Sequence, residues 1–254
     1  MSANLDGLAA SLDDAARNAV AVPQLGATLT LDDAYEIQSR SVARRLARGE
    51  RRIGMKMGFT SRAKMQQMGV SDLIWGRLTD AMIAEDGGQV RLTRFVHPRV
   101  EPEVAFLLRK PLAGIVTPLQ ALDAVEAVAP ALEIIDSRYE NFRFSLTDVV
   151  ADNSSSSALT LGPWNAPGAP LDNLGLMLSI DGRVQAFGST AAILGDPLRS
   201  LVAAARLVAE RGEVLEAGQV VMAGGATAAL ELRAGMFVQL EMERLGRTSF
   251  IVGE

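Results

Sequence analysis

The chain has no cysteine and a single histidine, His97. The first absence excludes disulfides, thiol nucleophiles and thiolate-bound zinc, and it suits a reducing cytoplasm. The second excludes any site that takes two imidazole ligands from one chain. A metal site here must lean on oxygen ligands, which favours Mg2+ or Mn2+. No run of about 18 uncharged apolar residues occurs, so no membrane span is expected. The start, MSANLDGLAASLDDAARNAV, is acidic and does not read as a secretory signal. Positive charge is also short: 25 Lys and Arg stand against 30 Asp and Glu, for a net charge of −5. That balance argues against nucleic acid as a partner. It leaves room for a small anionic substrate, because a metal or one lysine supplies positive charge locally. Aromatic residues make up only 5%, so the core must be built from Leu, Val, Ile, Met and Ala.

Apolar residues at helical spacing (Leu5, Leu8, Leu12, Ala16) predict a first helix, ended by Pro23. Thr30 and Asp33 form a variant capping box that opens a second. After Arg52 the pattern changes to a short strand carrying Lys56, broken at Gly58, with a short helix after it. Strands are then expected near 90–92, 100–108, 132–135, 158–161, 175–180, 219–222 and 237–242. Asp181-Gly182 between two apolar runs signals a hairpin. Thr117-Pro118 and Asp196-Pro197 start two further helices, stopped at Pro130 and Gly212. Strands and helices do not alternate regularly, which argues against a doubly wound sheet. The expected fold is α+β: a helical portion over 1–75 on a β-rich roll or sandwich over 76–254, the catalytic part.

Within VEPEVAFLL, strand periodicity puts Glu101 and Glu103 on one face, roughly 6–7 Å apart at Cα. Like charges this close repel unless a cation sits between them. The other reading is a solvated edge strand, and Pro102 speaks for an edge. Glu133 is the lone charge in the apolar run PALEII, a costly place for a carboxylate that is neither paired nor metal-bound. Three carboxylates from two strands make a hard oxygen site suited to Mg2+. Lys56, between Met55 and Met57, either meets that cluster or snorkels at a strand edge. Asp80 is either a turn residue or a second acid or base. Asp152, Asn153, Ser154 and Ser155 offer donors for a substrate carboxylate, or form an Asx-capped turn. Gly224-Gly225-Ala226-Thr227 is a flexible loop with only a weak likeness to a phosphate cradle.

The segments GMKMGFTSRAKMQQMGV, LTDAM, HPRVEPEVAF, PALEIIDSRY and DVVADNSSSS, in this order, resemble the hydratase/decarboxylase family of catechol meta-cleavage pathways. That family is a branch of the fumarylacetoacetate hydrolase superfamily. The likeness runs from about Leu31 to the end. GMKMG, RAKMQQMGV, HPRVEPE and IIDSRYENF favour its decarboxylase members over its hydratases. The resemblance implies Mg2+ or Mn2+ on Glu101, Glu103 and Glu133, with Lys56 and Asp80 in the same pocket. It implies substrate contacts from Asp152, Asn153, Ser154 and Ser155. It also implies a homo-oligomer that associates with the pathway hydratase and takes a small dicarboxylate. The implied reaction is decarboxylation of 2-oxo-3-hexenedioate to 2-hydroxypenta-2,4-dienoate. Hydration of the dienoate and a non-catalytic acid-binding scaffold are the alternatives. A C–C bond hydrolase would have only His97 for a histidine base.

Overall fold

The computed structural model describes residues 4–26, 29–61, 65, 72–168 and 170–254. The expected short helix after Gly58 lies outside the described residues. Helices α1 (Leu5–Asn18) and α2 (Leu31–Ala47) form where the spacing places them. The Thr30 hydroxyl accepts from Asp33 N–H and the Asp33 side chain caps Thr30 N–H in return, satisfying two orphan donors of the first turn. The helices bury Ala9, Leu12, Ala34 and Ile37 and clamp Asp13 between Arg44 and Arg48.

Two sheets follow. The strands are β1 (Arg52–Gly58), β2 (Ile74–Thr79), β3 (Ile83–Ala84), β4 (Gln89–Arg91), β5 (Arg99–Leu108), β6 (Val125–Ile135) and β7 (Ser156–Leu161). The rest are β8 (Gly175–Ile180), β9 (Arg183–Ser189), β10 (Val220–Met222), β11 (Leu230–Glu231), β12 (Phe237–Met242) and β13 (Gly246–Gly253). One sheet of eight strands runs β2-β1-β10-β5-β6-β7-β3, with β11 also on β5. Its two ends are joined by the chain: β2 passes through the turn Asp80–Met82 into β3, which pairs with β7 at the far edge. The sheet therefore curls into a roll with an inner and an outer face.

Strand alternation sorts the residues between those faces. The outer face carries Val104, Phe106, Val128 and Leu132, which share the main core with Val238, Leu240 and Phe250 of the second sheet. That sheet runs β4-β13-β12-β8-β9. Its β8–β9 hairpin turns at Asp181-Gly182, both left-handed, as the sequence signal requires. The inner face carries a separate apolar plug of Leu78, Met82, Ala105, Ala131, Leu159, Val220 and Met222.

Three expectations are corrected. The helix opened by Thr117 (α3, Pro118–Asp123) ends at Asp123, and Pro130 lies inside β6. Pro102 lies in a central strand, not at an edge. Both prolines sit where one flanking ladder has stopped. The Pro102 carbonyl takes Ala226 N–H in the gap between β10 and β11. The Pro130 carbonyl takes Gly162 N–H just past the end of the β7 ladder. In an antiparallel strand a residue's N and O face the same side, so no ladder misses either proline's absent donor. A division at residue 75 would cut β2, and β1 pairs with β10 in the main sheet. The helical part ends with α2, and the roll begins at β1.

Candidate metal centre

The β5–β6 register sets Glu101 directly opposite Glu133 and Glu103 opposite Ala131. All three glutamates therefore project from the inner face. Glu103 and Glu133 are wholly buried and Glu101 is 7% exposed. Each offers a carboxylate oxygen within 4.8 Å of the others. Their neighbours on that face are apolar: Ala131 faces Glu103 across the ladder, and Leu159 faces Glu133.

Lys56 reaches the cluster from β1, whose register sets it beside Met222 and Gly76 on the same face. Its Nζ lies 3.1 Å from Glu133 Oε2 and donates to the Ser154 carbonyl at 3.0 Å. Burial works against this ammonium, but the Glu133, Glu103 and Glu101 charges outweigh it and hold its pKa above the usual lysine value. Burial and the nearby Glu133 charge push Glu103 well above the usual carboxylate range, only partly offset by Lys56. Burial likewise raises Glu133, against the pull of Lys56.

These residues fit a divalent cation. The donors are hard oxygens, and among the described residues no hydrogen-bond donor reaches the buried Glu103 Oε1 and Glu133 Oε1. A buried acceptor in that state is costly, and a cation at the shared point removes the cost. The other Glu103 oxygen is held at 2.7 Å by Gly224 N–H. A side chain at Gly225 would start 2.8 Å from the Glu101 carboxyl carbon, so only glycine leaves that carboxylate its place. The Gly224-Gly225 pair is thus a cradle for glutamates. Its glycines were visible in the sequence, but their target was not.

The other predicted site residues are distributed differently. Asn153, Ser154 and Ser155 reach the centre as a turn beside β2. The Ser154 carbonyl meets Lys56, while the side chains of Asn153 and Ser154 bond to the β2 backbone at Arg77 and Trp75. Asp152 is fully engaged by Arg138, which sequence reasoning passed over. Burial outweighs that guanidinium and pushes Asp152 up to about 6. Asp80 does not join the cluster. Its carboxylate takes the backbone N–H and Nε of Arg51, each at 2.9 Å, at the end of the β1–β2 ladder away from Lys56. His97 is also elsewhere: its N–H donates to Asp136 and its Nδ1 faces the Ser137 carbonyl.

No family model matches the chain. A 4-oxalocrotonate decarboxylase from Pseudomonas sp. is 58% identical over 96% of each chain. A 2-keto-4-pentenoate hydratase from Paraburkholderia xenovorans (strain LB400) is 36% identical over 87% of this chain and 84% of its own. Among solved structures, 4-oxalocrotonate decarboxylase from Pseudomonas putida G7, complexed with magnesium and adipate, superposes with a TM-score of 0.95 at 37% identity. It covers 98% of this chain and 97% of its own. A fumarylacetoacetate hydrolase from Exiguobacterium antarcticum shares the fold, with a TM-score of 0.64 at 17% identity over 80% of this chain and 76% of its own. The carboxylate cluster, the roll that holds it and these similarities agree: the chain has the fumarylacetoacetate hydrolase fold and belongs to the hydratase/decarboxylase family.

Proposed function

We propose that this protein decarboxylates 2-oxo-3-hexenedioate (4-oxalocrotonate) to 2-hydroxypenta-2,4-dienoate, with Mg2+ or Mn2+ held by Glu101, Glu103 and Glu133. The observation that carries this reading is the trio of carboxylates facing Lys56 inside the roll. Its likeness to 4-oxalocrotonate decarboxylases, one of them solved with magnesium and a dicarboxylate, supports the choice of substrate.

In the reaction the C5–C6 bond breaks and C6 leaves as CO2. The electron pair spreads through the C3–C4 double bond to the C2 oxygen, which takes up one proton. When bound, the cation supplies a Lewis acid at the 2-oxo group, where this charge develops. The chain contributes the rest. Among the described residues, Glu103 and Glu133 each keep a carboxylate oxygen, Oε1, that no hydrogen-bond donor reaches. Lys56 brings positive charge, fixed between Glu133 and Ser154. The plug of Leu78, Leu159 and Met222 keeps the floor dry, which strengthens each electrostatic contact. Asp80 has no part in this reading.

The test is incubation of purified protein and Mg2+ with 2-oxo-3-hexenedioate while CO2 is measured; stoichiometric CO2 and dienoate are expected. No CO2, together with hydration of 2-hydroxypenta-2,4-dienoate, would make the protein a hydratase. Metal binding unchanged in Glu101→Gln and Glu133→Gln would remove the site and leave an acid-binding scaffold. Among the described residues no helix is long and apolar enough to cross a membrane. We infer that the enzyme works in the cytoplasm as a homo-oligomer. A hydratase that takes its dienoate product is the expected partner.

A further inference from the structure

Asn153, Ser154 and Ser155 are all left-handed, with φ of 51, 50 and 62°. L side chains rarely adopt this conformation, and three in succession persist only where the surroundings over-determine them. Arg138 supplies much of that force from full burial. Its backbone N–H and Nε donate to the Asp152 carboxylate, its Nη2 to the Asp152 carbonyl at 2.6 Å, and its Nη1 to Ser157 Oγ at 2.6 Å. One guanidinium thus grips both ends of the turn. The middle is docked on β2. Asn153 Oδ1 accepts from Arg77 N–H at 2.7 Å and its Nδ2 donates to the Arg77 carbonyl at 2.8 Å, while Ser154 Oγ donates to Trp75. Gly76 admits the turn because a Cβ there would lie 2.3 Å from the Asn153 carbonyl oxygen. What the turn turns inward is the Ser154 carbonyl, the second anchor of Lys56 beside Glu133.

We propose that Arg138 is a positioning residue. It staples a strained turn whose task is to fix the Lys56 ammonium against the carboxylate cluster. The chemical consequence rests on the decarboxylase reading; the mechanical one does not. Without the staple the turn relaxes toward negative φ, the Ser154 carbonyl swings away, and the lysine's flexible stem is no longer held.

The experiment compares parent and Arg138→Ala in two arms. In the activity arm, kcat on 2-oxo-3-hexenedioate falls about 10- to 100-fold, KM and Mg2+ affinity stay within about threefold, and added guanidinium chloride restores part of kcat. In the second arm, acylation of Lys56 is followed by mass spectrometry with the exposed Lys110 as internal standard. The Lys56 rate relative to Lys110 rises at least about tenfold in the variant. Unchanged kcat with unchanged Lys56 labelling overturns the proposal, as does a loss of activity matched by an equal loss of metal binding. If the parent releases no CO2, the decarboxylase reading fails and the labelling arm still decides the staple. If Arg138→Ala is recovered unfolded, Arg138→Met with Asp152→Asn removes both buried charges together, and the same two readouts apply.

Discussion

At the helix pair, Asp13 is buried to 2% exposure and takes Arg48 through both carboxylate oxygens, at 2.6 and 2.7 Å, and Arg44 at 2.8 Å. Inside the roll, Glu103 and Glu133 are as deeply buried, yet among the described residues each keeps an oxygen that no donor reaches, and Lys56 pairs with Glu133 while acting on Glu103 only through its charge. Burial raises the pKa in all three places. At Asp13 the hydrogen bonds and charges of Arg48 and Arg44 more than offset it and hold the carboxyl below its usual value, whereas at Glu103 burial wins. The contrast separates a buried acid satisfied by arginines from buried acids whose geometry fits a cation. What matters is how fully a carboxylate is satisfied, since burial is common to both.

The sharpest way to break this comparison is to neutralise one member of each region. Glu103→Gln should abolish Mg2+ binding and lower decarboxylation by on the order of 10³-fold, while the metal-free protein gains thermal stability because the strained charge is gone. Calorimetric Mg2+ titration and the melting temperature in EDTA check both halves. A loss of stability instead would mean that Glu103 is structural, like Asp13. Gly225→Ala sharpens the picture of the cradle: its methyl displaces Glu101 and should weaken Mg2+ affinity about 10- to 100-fold with folding intact. Asp13→Asn should do the converse of Glu103→Gln, costing about 2 kcal/mol in urea unfolding, reduced by the partial exposure of its arginines, with Mg2+ affinity unchanged.

The two regions should also respond to pH with opposite sign. Asp13 binds fewer protons folded than unfolded, so its stabilisation is complete above the ordinary value of 3.8 and is lost as pH falls through its depressed pKa. Glu103 binds more protons folded than unfolded. Metal-free protein should therefore lose stability as pH rises from its ordinary value of 4.5 toward its raised pKa. Saturating Mg2+ should flatten that second limb, and Glu103→Gln should remove it. The smallest effect is expected at Asp80, whose partner Arg51 is 84% exposed. Asp80→Asn should leave activity and metal affinity within about twofold of the parent. A larger loss would return Asp80 to the site.

Much of this was legible in the residues. The side-by-side projection of Glu101 and Glu103 follows from the two-residue period of any strand, and Glu133 stood out as the one charge in an apolar run. Caps at Thr30, Thr117 and Asp196 were readable because a helix start needs acceptors supplied within a few residues. Pro102 and Pro130 misled because a proline's cost depends on whether a neighbouring strand asks for its missing donor, and that neighbour is remote in sequence. The DNSSSS turn shows the same limit of a linear reading. Its hydroxyls and amide look available in a linear string, but two of its side chains are committed to the backbone of β2, more than seventy residues away.

The sequence by itself determined the kind of chemistry: a near absence of histidine, a complete absence of cysteine and three carboxylates in apolar strands leave hard-cation chemistry as the outcome. Only the tertiary structure decided which carboxylates meet, that Lys56 joins them and that Asp80 does not. The physical reason is that side-chain type and strand period are local properties, whereas register, the closure of a roll and the satisfaction of a buried charge are set by partners far along the chain.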